Sequence, residues 1–171
     1  QKVGLNLVDG QQIMLDAREL KNIDEVTLLN QAASMVDGVY HMIYEELKPG
    51  VRENDIVAKA NKMLYEMGSD DVEAINAISG ERCSPHPHNF TDRYFRPGDQ
   101  AFFDILQSFV GYRTCYYRTF NIGKANDAQN DAYKQCREWL DNAIDLIKPG
   151  VSTDKVASVW PKAEEFGFPS E

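Results

Sequence analysis

The chain is short of cysteine, histidine and positive charge, and it has no long apolar run. Its three cysteines, Cys83, Cys115 and Cys136, cannot all pair, and their spacing fits neither a disulfide framework nor a CxxC zinc knuckle. Reduced thiols and a cytoplasmic location are therefore expected. There are 18 Lys and Arg against 27 Asp and Glu, a net charge of −9, which argues against a nucleic-acid or anionic-membrane partner. No stretch approaches the roughly 20 apolar residues of a membrane span. The opening "QKVGLNLVDG" lacks the basic and apolar segments of a secretion signal. What is present, 43% apolar and 26% charged residues among 171, suffices for one domain with a packed core. A start at Gln1 rather than Met and a stop at "FGFPSE" lead us to expect a piece of a longer protein.

Periodicity gives the order of elements. Residues 3–16 alternate weakly about Asp9-Gly10, which predicts a short hairpin. A helix is expected from about Asp24, its N-cap, to Leu47, with Leu28, Ala32, Val36, Val39, Tyr40, Ile43 and Leu47 on one face and Pro49-Gly50 as its stop. A second helix, about 53–67, ends at Gly68, and "VEAINAISG" (72–80) reads as a strand. Residues 81–99 form a loop broken by three prolines. Two strands joined by a turn at Gly111 follow, then helices at about 127–147 and 153–165. "LKPGVRENDIV" (47–57) and "IKPGVSTDKVA" (147–157) are one helix–turn–helix joint met twice, and the apolar positions of the preceding helices correspond in phase. This suggests a duplicated α+β half-unit and a pseudo-twofold α+β domain over residues 1–171. Within it we expect a hairpin and linker (1–22), a first half-unit (23–80), the loop (81–99) and a second half-unit (100–171).

The chemistry concentrates between residues 79 and 120. In "FFDILQSFVGYRTCYYRTF" (102–120), Asp104 interrupts an apolar strand, on the same face as Phe102 and Leu106. A buried carboxylate needs a partner or a metal, and the turn at Gly111 brings the position of Cys115 opposite. The loop offers His86 and His88 in "SPHPH", imidazoles suited to acid–base work or metal ligation near neutral pH. Cys83 shares that loop, where a nearby imidazole would activate a thiol, and His41 is given no role.

The ordered set "ISG" (78–80), "PHPHNFTDR" (85–93), "RPGD" (96–99), "FFDI" (102–105), "GY" (111–112), "RTF" (118–120) and "IKPGV" (147–151) resembles the pita-bread metallopeptidase family, which includes methionine aminopeptidase, aminopeptidase P, prolidase and creatinase. The resemblance spans about residues 17–165 and implies the pseudo-symmetric pita-bread fold, incomplete at its C-terminal side. In that family two aspartates bind a pair of divalent metals. Asp104 matches the first, Cys115 stands at the second, Tyr117 replaces an expected threonine, and Arg118 and Thr119 match. The family's substrate-side histidine falls at His86 or His88, which the spacing leaves open, and its remaining ligands lie downstream. Arg118 is expected to be structural, tying strands through a carboxylate. The implied cofactor is a divalent Mn, Zn, Co or Fe, or none, as in creatinase-like members. A Cys115 thiolate would suit zinc or iron, whereas a buried, apolar Cys115 filler goes with a site that has abandoned the metal pair; we favour the filler.

The implied function is hydrolysis of a small amide or amidine C–N bond or an Xaa-Pro dipeptide, with an altered metal site. The alternatives are a metal-dependent Xaa-Pro dipeptidase and a non-catalytic binding module. A small-molecule or dipeptide substrate and a homodimer are expected, and the chain alone is expected to be inactive and poorly stable.

Overall fold

The computed structural model describes residues 4 and 8–169, in two compact units that divide between Gly123 and Lys124. The strand that follows the 81–99 loop pairs with the strand that precedes it.

The first unit opens with α1 (Gln11–Glu19), where the sequence suggested the second arm of a hairpin. The other arm, residues 3 and 5–7, lies outside the described residues. Helix wins over residues 11–16 because Gln11, Gln12, Met14 and Leu15 are good helix formers and Asp9 Oδ1 accepts the Gln11 N–H at 2.9 Å. Helix α2 (Ile23–Glu46) is capped by Asn22, not Asp24. Asn22 Oδ1 accepts the N–H groups of Asp24 (2.9 Å) and Glu25 (3.0 Å), while Glu25 accepts the Asn22 N–H at 2.7 Å. Asp24 falls in the first turn, where its charge meets the positive end of the helix dipole. Helix α3 (Glu53–Glu66) follows the Pro49-Gly50 turn.

Strands β1 (Asp71–Ser79), β2 (Gln100–Phe109) and β3 (Tyr112–Asn121) form an antiparallel sheet in that order. One face of the sheet packs on α2 and α3. Ile75, Ala77, Ala101, Phe103 and Ile105 meet Val36, Val39, Tyr40 and Ile43 of α2 and Ile56, Val57, Ala60 and Leu64 of α3. The Tyr40 hydroxyl lies between the carbonyl oxygens of Phe103 (2.9 Å) and Tyr116 (2.6 Å), fastening helix to sheet. Strand alternation then leaves Asn76 and Ile78, Phe102, Asp104 and Leu106, and Cys115, Tyr117 and Thr119 on the other face, called the open face here. The β2–β3 turn has left-handed φ at both central residues, Val110 (51°) and Gly111 (78°). A β-branched residue is strained there. Val110→Asn should therefore raise stability by about 1 kcal/mol, read from chemical denaturation; a loss of stability would contradict this reading of the turn.

The second unit holds α4 (Asp127–Leu146) and α5 (Thr153–Ala157). The repeated joint is repeated in geometry: Val51 and Val151 donate N–H groups to Lys48 O (3.2 Å) and Lys148 O (3.1 Å), and Gly50 and Gly150 take φ of 86° and 85°. Helix α5 is shorter than the expected 153–165, because Pro161 forces the preceding residue out of helical geometry; a 3-10 turn, Ala163–Phe166, follows. The two helix faces differ in cover. Val36, Val39 and Ile43 of α2 are fully buried, whereas Leu140 is 42% and Ile147 68% exposed. Among the described residues no helix is long and apolar enough to cross a membrane.

Candidate active site

Asp104 lies in the middle of the central strand and is only 4% exposed. Its register partners are Asn76 on β1 and Tyr117 on β3. Asn76 donates an Nδ2–H to Asp104 Oδ2 at 3.2 Å, and the Cys115 thiol donates to Oδ1 at 3.4 Å. Tyr117 stands directly across from Asp104 at its register position on β3. Burial, reinforced by the adjacent negative charge, raises the pKa of both the Cys115 thiol and the Tyr117 hydroxyl. Both keep their protons at neutral pH. Asp104 is thus met by two neutral donors, the Asn76 amide and the Cys115 thiol, in place of a cation, which offsets the cost of burying it.

Cys115 itself is exposed, so the buried apolar filler expected from its bulky neighbours is corrected. It lies on the last strand of the sheet, on the face the helices do not cover. The donor set also does not fit a divalent metal by itself. Metal ligation needs a deprotonated sulfur and free carboxylate oxygens, whereas here the thiol proton points at the carboxylate and both carboxylate oxygens are engaged. No group of three His, Cys, Asp or Glu among the described residues could hold a metal ion.

The two loop histidines are not equivalent. The His86 ring stands edge-on to Phe102 at 5.3 Å and to Tyr117 at 6.3 Å, between ring centroids. His88 packs against the outer side of His86 at 5.1 Å. His86 therefore borders the residues around Asp104, and His88 touches them through His86. Cys83 is not an activated thiol: burial raises its pKa to about 11, and its S–H faces the carbonyl oxygens of Ile78 and Gln100. His41 is exposed on α2. Arg118 points to the helix side of the sheet. Its guanidinium lies 4.5 Å from the Tyr116 ring centroid and 3.7 Å from Asp37, so its carboxylate partner is on helix α2 and not on a strand. Thr119 is exposed on the open face beside Phe102.

The sequence reading missed what holds the histidine loop. Glu53, at the first position of α3, is fully buried. One carboxylate oxygen accepts from Ser79 Oγ at 2.7 Å; the other accepts from the Arg82 guanidinium, from Thr91 N–H at 2.9 Å and from Thr91 Oγ1 at 2.8 Å. Arg82 reaches on to Asn89 Oδ1. The backbone adds Glu53 N–H to Arg93 O (3.0 Å), Asn54 N–H to Thr91 O (3.1 Å) and Ala77 N–H to Asn89 O (3.1 Å). The available signal was an acidic residue beginning a helix immediately after the Pro-Gly turn, a position that reads by default as dipole compensation.

A second clamp adjoins it. Arg93 bridges Glu81 (2.8 Å) and Asp99 (2.6 Å) and lies against Gly80. A Cβ at Gly80 would come within 2.8 Å of the guanidinium carbon and 2.9 Å of Asp99 Oδ1, at a φ of +60°. Gly80→Ala should thus cost about 1–2 kcal/mol from the backbone alone, with more from displacing Arg93; an unchanged melting temperature would show that the clamp yields freely.

The Arg93 hydrogen bond holds the Glu81 carboxyl at about 2, below its ordinary 4.5. A folded-state pKa below the unfolded one adds stability that is fully present above the unfolded value and is lost as pH falls through the folded one. The Tm gap between the chain and Glu81→Gln should be present at about pH 6 and vanish toward about pH 2. A gap unchanged across that window would contradict the pairing.

Residues 27–168 match the sequence profile of metallopeptidase family M24. The chain is 23% identical over 158 residues to the Xaa-Pro dipeptidase of Pyrococcus furiosus, covering 91% of this chain and 45% of the relative. It is 23% identical over 171 residues to the ectoine hydrolase of Halomonas elongata, covering 94% and 43%. Among solved structures, the prolidase from Pyrococcus furiosus matches with a TM-score of 0.82 at 23% identity, over 86% of this chain and 44% of that one. The chain spans less than half the length of these relatives. The α+β fold implied by the resemblance is therefore the one observed. With the profile match covering most of its length and the fold shared with prolidase, this chain belongs to metallopeptidase family M24.

Proposed function

We propose that the chain is part of the catalytic domain of an M24 hydrolase that cleaves the C–N bond of a small amide or amidine or of an Xaa-Pro dipeptide, at a site where Asp104 is kept and Cys115 replaces the second metal aspartate. The observation that carries this reading is the Asn76–Asp104–Cys115–Tyr117 cluster with His86 against Tyr117. Relatives named as an Xaa-Pro dipeptidase and an ectoine hydrolase support the breadth of the substrate class.

In this reading His86 moves a proton to or from the leaving nitrogen or holds the reacting carbonyl oxygen, with His88 packed behind it. Asp104 orients Cys115, and Tyr117 stands beside it; together they present the polar edge of the open face to the substrate. Among the described residues no three His, Cys, Asp or Glu could hold a metal ion; for Cys115 to join Asp104 as a ligand, its thiol would have to give up the proton it now donates. The same reading takes the protein to be a cytoplasmic homodimer.

The test is turnover by the whole protein of Xaa-Pro dipeptides and of small amides and amidines, with metal counted in the same preparation. Metal-independent turnover of a small amide or amidine supports the altered site, and turnover of Xaa-Pro dipeptides that needs two metals per subunit supports an ordinary dipeptidase. A specific observation favours a non-catalytic binding module as the second reading: both oxygens of Asp104 are already satisfied by neutral donors. Binding of these compounds with no turnover of any would support it.

A further inference from the structure

We propose that Glu53 is a positioning residue for the histidine loop, acting through Arg82 and Thr91 to hold His86 against the open face. This rests on the reading above that His86 acts in the reaction. Glu53 is remote from the open face, because its helix packs on the other side of the sheet. Yet it is the hub through which the loop is tied to the fold. Its carboxylate reaches Ser79 at the end of β1, Arg82 just before the histidines and Thr91 just after them. The segment 83–90, with both histidines, is thus spanned by one carboxylate holding both its flanks.

The chemistry favours positioning over general stability. A buried carboxylate with four donors, one of them an arginine, is costly to desolvate. It is also geometrically exacting, because each donor fixes a direction as well as a distance. Thr91 serves twice: its hydroxyl donates to Glu53 and accepts from Arg82 Nη1 at 3.1 Å. Arg82 carries the restraint to Asn89, whose own carbonyl accepts the Ala77 N–H. By contrast, the histidines touch the sheet only through rings: His86 on Phe102 and Tyr117, and His88 on His86. Such ring contacts are weak alone, so the flanks decide where the imidazoles sit.

The test uses the full chain with labelled histidine, phenylalanine and tyrosine rings. The nuclear Overhauser contact between the His86 and Phe102 rings reports loop position directly, and contacts of the Tyr40 ring with Phe120 report the core. Thr91→Val keeps the shape and removes only the hydroxyl, Thr91→Ser restores it, and Glu53→Gln removes the charge. We expect Glu53→Gln and Thr91→Val to weaken the His86–Phe102 contact at least about twofold with the core contacts intact, and Thr91→Ser to retain it. A wild-type contact in both Glu53→Gln and Thr91→Val would overturn the proposal. Thr91→Val keeps the test decisive should Glu53→Gln unfold.

In the whole protein the same two variants should lower kcat about tenfold or more with KM within about twofold, the signature of a misplaced group. Equal losses in Thr91→Ser would overturn the proposal by pointing to general destabilisation. If the ring contact is lost as expected while His86→Ala retains full turnover, the clamp stands and the catalytic reading of His86 falls.

Discussion

His86→Ala in the whole protein is expected to lower kcat by about 10²-fold or more, the range seen when acid–base assistance is removed. His88→Ala is expected to cost several-fold less. The sequence leaves the two histidines open, and the distinction comes from packing: His86 alone touches both Phe102 and Tyr117, the residues that flank Asp104. His88 contributes by bracing His86. Steady-state kinetics on each single variant check this. Wild-type rates in both would remove the loop from the mechanism, and a larger loss in His88→Ala would reverse the assignment.

The second large effect is on stability. Phe103→Ala should destabilise the first unit by about 3–5 kcal/mol, the range for deleting a buried phenylalanine with partial collapse of the cavity. Phe103 is fully buried on the central strand, with the rings of Phe95 and Phe120 at 6.3 and 6.0 Å between centroids. Its carbonyl accepts from Tyr40, so a shift of the strand would also disturb the tie to α2. Since Asp104 is the next residue, the change should weaken the Cys115 hydrogen bond as well. Urea denaturation followed by circular dichroism measures it. A loss below about 1 kcal/mol would mean that the strand is not the centre of a close-packed core.

What could be read from the sequence follows from how local each signal is. The helix with apolar Val36, Val39, Tyr40 and Ile43 at helical spacing, the Pro-Gly stops and the strands around Asp104 all declare themselves within a few residues, and all are observed. The N-cap is Asn22 rather than Asp24 because both residue types qualify, two positions apart, and only the Glu25 carboxylate, reaching back to Asn22, decides between them. Helix replaces the expected hairpin arm over 11–16 because weak alternation is a poor rival to residues that mostly favour helix. Helix α5 ends earlier than its apolar pattern suggests because Pro161 interrupts that pattern.

At the site, Asp104 stood out as a charge in an apolar strand, and Cys115 as its neighbour across the turn. The proton between them did not, since it depends on which face of β3 meets Asp104 and on Asn76 arriving from a strand 28 residues away in sequence. The Glu53 hub was invisible for the same reason: its partners lie 26, 29 and 38 residues downstream and none forms a motif with it.

Cys115 and Asp104 form a hydrogen-bonded pair at 3.4 Å on the open face. The most direct measurement is metal content per subunit of the whole protein, by elemental analysis, in the wild type and in Cys115→Asp and Cys115→Ser. The wild type is expected to carry no metal pair, Cys115→Ser to change its metal content little, and Cys115→Asp, by adding the missing carboxylate, to raise it. A stoichiometric metal pair in the wild type that disappears in Cys115→Ser would contradict the proposed site.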